Sequence, residues 1–394
     1  MTDTRRLLTL PPEAKALWEV FSRAGKDCYF VGGCVRDALL GSAPGDYDVC
    51  TPLLPEEIIA LFDGFSVIPT GIRHGTITVL IAGIPFEVTT FRVDGDYTDC
   101  RHPDSISFTK ELPLDLSRRD FTVNAMAWNP SVGLVDPFGG REDLQKKIIR
   151  CVGDPRARFS EDALRIVRAL RFAARLDFTI EEETARAAVA LAPSVQKVSR
   201  ERLLAEFRKL LLGISPDRVL RDYQAILTCF LPPILPHPPV ESLPPRLPVR
   251  FAALFGDAAK TALRELKAEN RLIEDTAILA ANITLPLPES ESETHRRLIA
   301  LGRGKLQLME DELAWRARRG EKTAAVTAWM EKILRENLPL SVRELPIGGD
   351  DLLPFCQNGR EVGEKLERLL YAVADRSVAP EKNALLAWII GDKS

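Results

Sequence analysis

The sequence is short of the groups that build closed metal or disulfide frameworks. Its seven cysteines, an odd number in 394 residues, stand singly with no Cys-x-x-Cys pair, so neither a disulfide scaffold nor a zinc site is indicated and the thiols read as reduced packing residues. The four histidines, His74, His102, His237 and His295, are too dispersed for a metal cluster, and none has the adjacent aspartate a phosphohydrolase needs. His74 reads as a turn residue before Gly75-Thr76, the other three as ordinary loop or surface residues. No run approaches the roughly 18 apolar residues of a membrane span, and residues 1–15 carry no secretory apolar core, so the cytoplasm is the expected compartment. Neither charge is in excess: 53 Lys and Arg against 56 Asp and Glu give −3, which excludes a protein that coats nucleic acid by bulk attraction. Contact with a polyanion must be local, and the Arg-rich segments 156–175 and 296–319 are where positive potential concentrates.

What is present is a globular composition, 45% hydrophobic and 28% charged, in a chain long enough for two to four units of about 100–200 residues each. Residues 28–31, 47–50, 76–81, 85–91 and 122–128 read as strands, and Gly83, Ile84 and Pro85 suit a tight turn that makes 76–91 a hairpin. The fold class is therefore α+β at the start. From about Asp154 apolar residues recur at helical spacing, as in Ala163, Ile166, Val167, Leu170, Ala173 and Ala174, so the remainder reads as all-α. Residues 232–248 are too rich in proline for a helix interior and mark a boundary, and residues 283–293 form a further loop.

Three chemical devices lie within residues 30–51. Gly32 and Gly33, at a strand-to-helix junction, let backbone N–H groups approach phosphates closely, and the helix start that follows favours negative charge. Arg36, about one turn into that helix, adds a charge-assisted contact to the same phosphates. Asp46 and Asp48 flank Tyr47, so alternation along a strand sends both carboxylates to one face. Two such charges at close range need a divalent cation, and hard oxygen ligands that leave room for water and phosphate suit Mg²⁺. Two ions there would activate a 3′-hydroxyl and stabilise a leaving pyrophosphate. Glu87, on the adjacent hairpin, is the choice for a third carboxylate. An isolated Asp-x-Asp pair more often solvates a turn; the neighbouring Gly-Gly and Arg favour the metal.

The run Gly32-Gly33-Cys34-Val35-Arg36-Asp37 with Asp46-Tyr47-Asp48 resembles the signature of class II CCA-adding enzymes and bacterial poly(A) polymerases, within the polymerase β-like nucleotidyltransferase superfamily. The likeness continues through His74-Gly75-Thr76, Glu87-Val88-Thr89-Thr90-Phe91-Arg92 and Arg118-Arg119-Asp120-Phe121-Thr122-Val123-Asn124-Ala125 and covers roughly the first half of the chain. It implies a nucleotidyltransferase head of mixed sheet and helices over 1–150, a helical neck with a base-selecting helix over 151–215, and a helical body and tail over 216–290 and 291–394. It also implies template-independent addition of CCA to the 3′ acceptor end of tRNA from CTP and ATP, with Arg119 clamping the nucleotide.

Residues 160–175 read as one helix, capped by Ser160, whose apolar arc opposes Glu161, Arg165, Arg168, Arg171 and Arg175, with Asp162 at the edge beside Arg165. By resemblance, Asp162 and Arg165 stand in for a template. Cytosine and adenine both offer an exocyclic amine beside a ring-nitrogen acceptor, which an Asp acceptor and an Arg donor match; uracil and guanine would leave both unpaired, at about 1–3 kcal/mol each. Arg168 and Arg171 fit phosphate or template support. The plainer reading is an Asp162–Arg165 pair on a solvated face, worth about 0.2–0.5 kcal/mol. Residues 93–110, with Gly95, Asp96, Tyr97, Asp99, Arg101 and Pro103, resemble the family's flexible loop for the switch from C to A addition. Rival readings are an A-adding enzyme or poly(A) polymerase of the same family and, in another class, a catalytically silent RNA-binding module. The segment Gly71-Ile72-Arg73-His74-Gly75-Thr76 and intact Asp46, Asp48 and Glu87 weigh against them.

Overall fold

A seven-stranded mixed sheet organises the start of the chain, and a computed structural model describes residues 7–95 and 105–391 of it. Helix α1 (Pro12–Arg23) precedes β1 (Tyr29–Val31), which turns directly into α2 (Gly33–Leu39); β2 (Val49–Thr51) and α3 (Pro55–Leu61) follow. Next come β3 (Ser66–Gly71), β4 (Thr76–Ile81) and β5 (Ile84–Thr90), then the ribbon of β6 (Arg92–Asp94) and β7 (Ile106–Phe108). After α4 (Leu112–Ser117) the sheet is completed by β8 (Ala127–Asn129) and β9 (Gly133–Val135), in spatial order β3-β4-β5-β2-β1-β8-β9. The β4–β5 hairpin closes with two residues, Ala82 and Gly83, both at positive φ, the conformation that matches strand twist in a two-residue loop. Its apolar residues alternate: Ile77, Val79, Phe86 and Val88 are buried, and β5 then pairs in parallel with β2, aligning Val88 with Val49.

Two expected strands differ. Residues 122–128 do not run extended: Thr122–Asn124 form a 3₁₀ turn and β8 starts only at Ala127. Side-chain bonding explains it, since Thr122 Oγ1 donates to Asp143 Oδ2 at 2.7 Å and the Asn124 amide donates to Asp120 Oδ1 at 3.1 Å, holding the turn closed. Asp46 and Asp48 lie just ahead of β2, outside any strand, and the Asp48 carbonyl accepts from Val31 N–H at 3.0 Å.

Helices dominate afterwards: α5 (Gly140–Lys146), then β10 (Ile148–Ile149), α6 (Pro155–Glu161), α7 (Leu164–Leu176) and β11 (Thr179–Ile180), which pairs with β10. Residues 160–175 are thus not one helix, and Ser160 lies inside α6 instead of capping α7. Asp154 caps α6 by accepting from Arg156 N–H at 3.0 Å, with Pro155 at the first helical position, so the helix begins early. It stops at Asp162, which is extended (φ −142°, ψ 107°) and uses Oδ1 to accept from Leu164 N–H at 3.0 Å, restarting the chain as α7. The strong apolar arc of α7, from Ile166 to Ala174, packs on α9 (Arg200–Leu211) beyond α8 (Glu182–Ala190). Where α9 ends, a Cβ on Gly213 would lie 2.6 Å from Ala174 O, so only glycine allows the approach; Ile214 and Ser215 N–H then donate to that same carbonyl. Helices α10 (Pro216–Asp222) and α11 (Gln224–Leu227) close this first compact unit, Met1–Leu231.

In the second unit, Pro232–Ser394, the regular elements among the described residues are all helices. Three apolar clusters fill it, around Val249, Leu279 and Trp315, around Leu298, Met309 and Ile333, and around Leu352, Leu369 and Leu385. The Arg-rich segment 296–319 does not form a positive face here. Arg297 and Arg316 share fully buried Glu312, while Arg296 pairs with Asp375 and Arg303 with Glu344. His295 is likewise no surface residue: it is 1% exposed, its Nε2 lies 2.9 Å from Pro339 O, and burial pulls its pKa down. The helical period that places Leu298 in the core carries His295, one turn earlier, inward with it. His102 lies outside the described residues, as do Asp96, Tyr97, Asp99, Arg101 and Pro103 of the proposed mobile loop. Among the described residues no helix is long and apolar enough to cross a membrane.

Candidate active site

The β1–α2 junction is the floor of a cavity of about 580 Å³. Gly32 has φ +73°, and a Cβ there would lie 2.9 Å from Arg119 Nη1, so glycine permits both the turn and the guanidinium above it. A Cβ on Gly33 would lie 4.0 Å from Asp46 Oδ1, which brings the glycine pair, Arg119 and the first aspartate together. Asp46 and Asp48 both line the cavity, while Tyr47 between them packs edge-on to Phe30 on the other side. Burial of its surroundings and then Asp46 push the Asp48 pKa up, with Arg119 opposing and Glu87 adding to the rise. A carboxylate whose charge is disfavoured by burial and by a neighbouring aspartate is what a hard divalent cation relieves, so the pair fits a metal seat.

Glu87 stands differently from expectation. It is on β5, opposite Thr78 and next to the Val88 that aligns with Val49, close enough to act on Asp48, but exposed and not on the cavity wall. Among the described residues no three His, Cys, Asp or Glu side chains are gathered to hold a metal.

Arg36 is 4% exposed. It donates from Nε to Asp37 at 2.8 Å and from Nη1 to Asn124 Oδ1 at 2.6 Å, and it still borders the cavity. Asn124 passes the connection to Asp120, whose Oδ2 accepts from Arg168 Nε at 2.7 Å. Asp120 is buried within this network. Burial alone would raise its pKa, but Arg168 and the Asn124 amide more than offset that and hold it at about 2. Phe172 lies beneath three guanidinium groups, with Arg171 3.9 Å, Arg36 5.2 Å and Arg168 5.5 Å from its ring centroid. This chain of contacts ties the sheet to α7.

The α6–α7 break aims Asp162 into the cavity, where it meets Arg202 of α9 at 2.8 Å and not Arg165. Arg165 also lines the cavity but bonds to Glu161, to Arg158 O and, at 3.1 Å, to Arg118 O. The solvated intrahelical pair is thus not what forms. Arg171 is buried against Glu206 at 2.8 Å, and burial lowers its pKa to about 10, leaving it charged at neutral pH. Arg202, Glu206 and Lys209 escaped sequence reading. Their signal is a charged stripe at i, i+4 and i+7 beside the apolar face of α9, which marks a helix edge facing a polar site.

A family model described as the Poly A polymerase head domain matches residues 28–150, and one described as a probable RNA and SrmB-binding site of polymerase A matches residues 177–232. The CCA-adding enzyme of Geobacillus stearothermophilus is 36% identical over 402 residues, spanning 96% of this chain and 97% of that enzyme. The chain belongs to the CCA-adding enzyme family. The Anoxybacillus flavithermus CCA-adding enzyme is also 36% identical, over 95% of this chain and 96% of its own length. Among solved structures, the Bacillus stearothermophilus CCA-adding enzyme in complex with CTP superposes with a TM-score of 0.79 at 32% identity, covering 97% of this chain and 98% of that one. The Thermotoga maritima CCA-adding enzyme complexed with tRNA shares the fold at a TM-score of 0.66, 21% identity and coverage of 100% and 99%. Enzymes of this family are metal-dependent nucleotidyltransferases, with the mixed-sheet head and helical remainder seen here. Residues 151–176, which include Asp162 and the α7 arginines, fall between the two matched segments.

Proposed function

We propose that this chain adds C, C and A in turn to the 3′ acceptor end of tRNA, taking CTP and then ATP and releasing pyrophosphate, without a nucleic-acid template. One observation carries the reading: a single cavity holds the Gly32-Gly33 junction with Asp46 and Asp48, and also Asp162, Arg165 and Arg202. Triphosphate chemistry and base selection thus share one chamber.

In this reading Asp46 and Asp48 hold Mg²⁺, with Glu87 as supporting carboxylate. Bound there, the cation supplies charge neutralisation and Lewis acidity for in-line displacement at the α-phosphate. The backbone at Gly32 and Gly33, with Arg36 behind it, receives the phosphates, and Arg119 over Gly32 clamps sugar or triphosphate. Asp162 accepts the exocyclic amine of cytosine or adenine, and Arg165 donates to the neighbouring ring nitrogen. Arg168 and Arg171, fixed by Asp120 and Glu206, keep α7 in register against the sheet. The chain then divides by role into head (1–150), neck (151–215), body (216–290) and tail (291–394), acting in the cytoplasm on tRNA.

The test is incorporation of labelled CTP and ATP by purified protein into tRNA lacking CCA, tRNA lacking only the final A, and unrelated RNA. CCA on the first substrate and A on the second, with little on the third, is expected. A alone on both, or a long A tail on unrelated RNA, replaces this reading with the A-adding or poly(A) one; no incorporation leaves an RNA-binding module.

A further inference from the structure

We propose that Arg175 and Lys209 form a cationic rim that grips backbone phosphates of the acceptor RNA strand where it enters the cavity. The inference rests on the functional reading above and deepens it. Both residues line the cavity and both are exposed. Every other arginine on that wall has a carboxylate within 4 Å, as Arg171 has Glu206 and Arg202 has Asp162; Arg175 and Lys209, among the described residues, have none.

Their placement is built and not incidental. The pairs Asp162–Arg202 and Arg171–Glu206 run in the same direction along the neck, and Arg175 and Lys209, four residues beyond Arg171 and three beyond Glu206, lie about one helical turn further along α7 and α9 on the same cavity lining. Cations paired with carboxylates are thereby followed, along both helices, by cations with no carboxylate within 4 Å among the described residues. The backbone beneath it is clamped, since Gly213 fits against Ala174 and two N–H groups meet the Ala174 carbonyl at 2.9 and 3.0 Å. Two exposed, uncompensated cations on one cavity wall of otherwise matched pairs call for an anion from outside.

Position selects which anion. At 1.5 Å of rise per residue, Arg175 stands about 15 Å along α7 from Arg165, away from the base-reading turn. The triphosphate already has the glycine junction and the aspartates. An exposed pair at the far end of the neck suits a strand arriving from solvent, whose phosphates repeat along its length.

The experiment compares wild type with the Arg175→Ala/Lys209→Ala double variant and the Arg175→Lys/Lys209→Arg swap. Binding of tRNA lacking CCA is measured without nucleotide over a range of salt, and steady-state kinetics are measured at saturating tRNA. The double alanine variant should weaken tRNA binding about tenfold near physiological salt and flatten the plot of log K against log salt by about 1.4–1.8, as loss of two phosphate contacts demands. The swap should keep the wild-type slope, and the KM for CTP should stay within about twofold in both. An unchanged slope in the alanine variant overturns the proposal. So does a raised KM for CTP with tRNA binding intact, which would assign the pair to the triphosphate. Failure of the functional reading looks different: it appears in the kinetics, where wild type then adds no CTP to this tRNA, whereas failure of this inference appears in the salt slope.

Discussion

Asp162 Oδ2 lies 2.8 Å from Arg202 Nη2, so the carboxylate assigned to base reading is held from both sides, by a helix start it caps and by an arginine of the neighbouring helix. Arg202→Ala frees that oxygen while leaving the cap. Discrimination of CTP and ATP against UTP and GTP should fall about tenfold, read as ratios of kcat/KM. Asp162→Ala should lose about 10- to 100-fold, the worth of one or two unmatched polar contacts. Unaltered ratios in both variants would remove Asp162 from base selection.

Asp46→Ala and Asp48→Ala should each lower incorporation by about 10³-fold or more, several kcal/mol of transition-state stabilisation, with tRNA binding retained. A chelator should do the same to wild type, and added Mg²⁺ should restore it. Glu87→Gln, away from the cavity wall, should cost less than either aspartate. Equal losses at all three would place Glu87 in the metal's immediate grasp.

The Asp120–Arg168 pair sets a pH dependence of stability. Because the folded pKa of Asp120, about 2, lies below the ordinary value of 3.8, its contribution is complete above about pH 4 and is lost as pH falls through 2. The difference corresponds to on the order of 2 kcal/mol. Asp120→Asn should be less stable than wild type at neutral pH by about 3–5 kcal/mol, since Arg168 keeps no anionic partner but the longer contact to Glu206, and the gap should narrow between pH 4 and 2. Urea unfolding at several pH values measures this; a gap that does not change over that interval contradicts the assignment.

Cys34 follows Gly33 in the active-site turn, yet its thiol is pushed up to about 12, by burial first and then by Asp48. It should resist iodoacetamide at pH 8 in the folded protein and react on denaturation, as peptide mapping by mass spectrometry would record. Labelling of native Cys34 at the rate of a free thiol would show that the turn opens.

Local order along the chain made the head readable. Gly32, Gly33, Asp46 and Asp48 lie within one strand-helix-strand stretch, and the 76–91 hairpin advertises itself by alternation and a glycine turn. The misreadings arose where side chains override periodicity. Thr122 and Asn124 close a turn inside an apolar run, and Asp162 interrupts a helical pattern whose apolar positions, Phe159, Ala163 and Ile166, continue across the break. Partners from α9 were illegible for another reason: Arg202 and Glu206 sit about forty residues from what they touch, and pairing at that range leaves no local pattern.

The break between α6 and α7 constrains how this enzyme's nucleotide preference can drift. Under the proposed function a residue at position 162 has two simultaneous duties, ending one helical segment and presenting hydrogen-bonding atoms to a base. Only short polar side chains that cap helices, Asn, Ser and Thr beside Asp, perform the first. Rewriting the alphabet of the added tail is therefore confined to that handful of letters unless the neck itself is rebuilt.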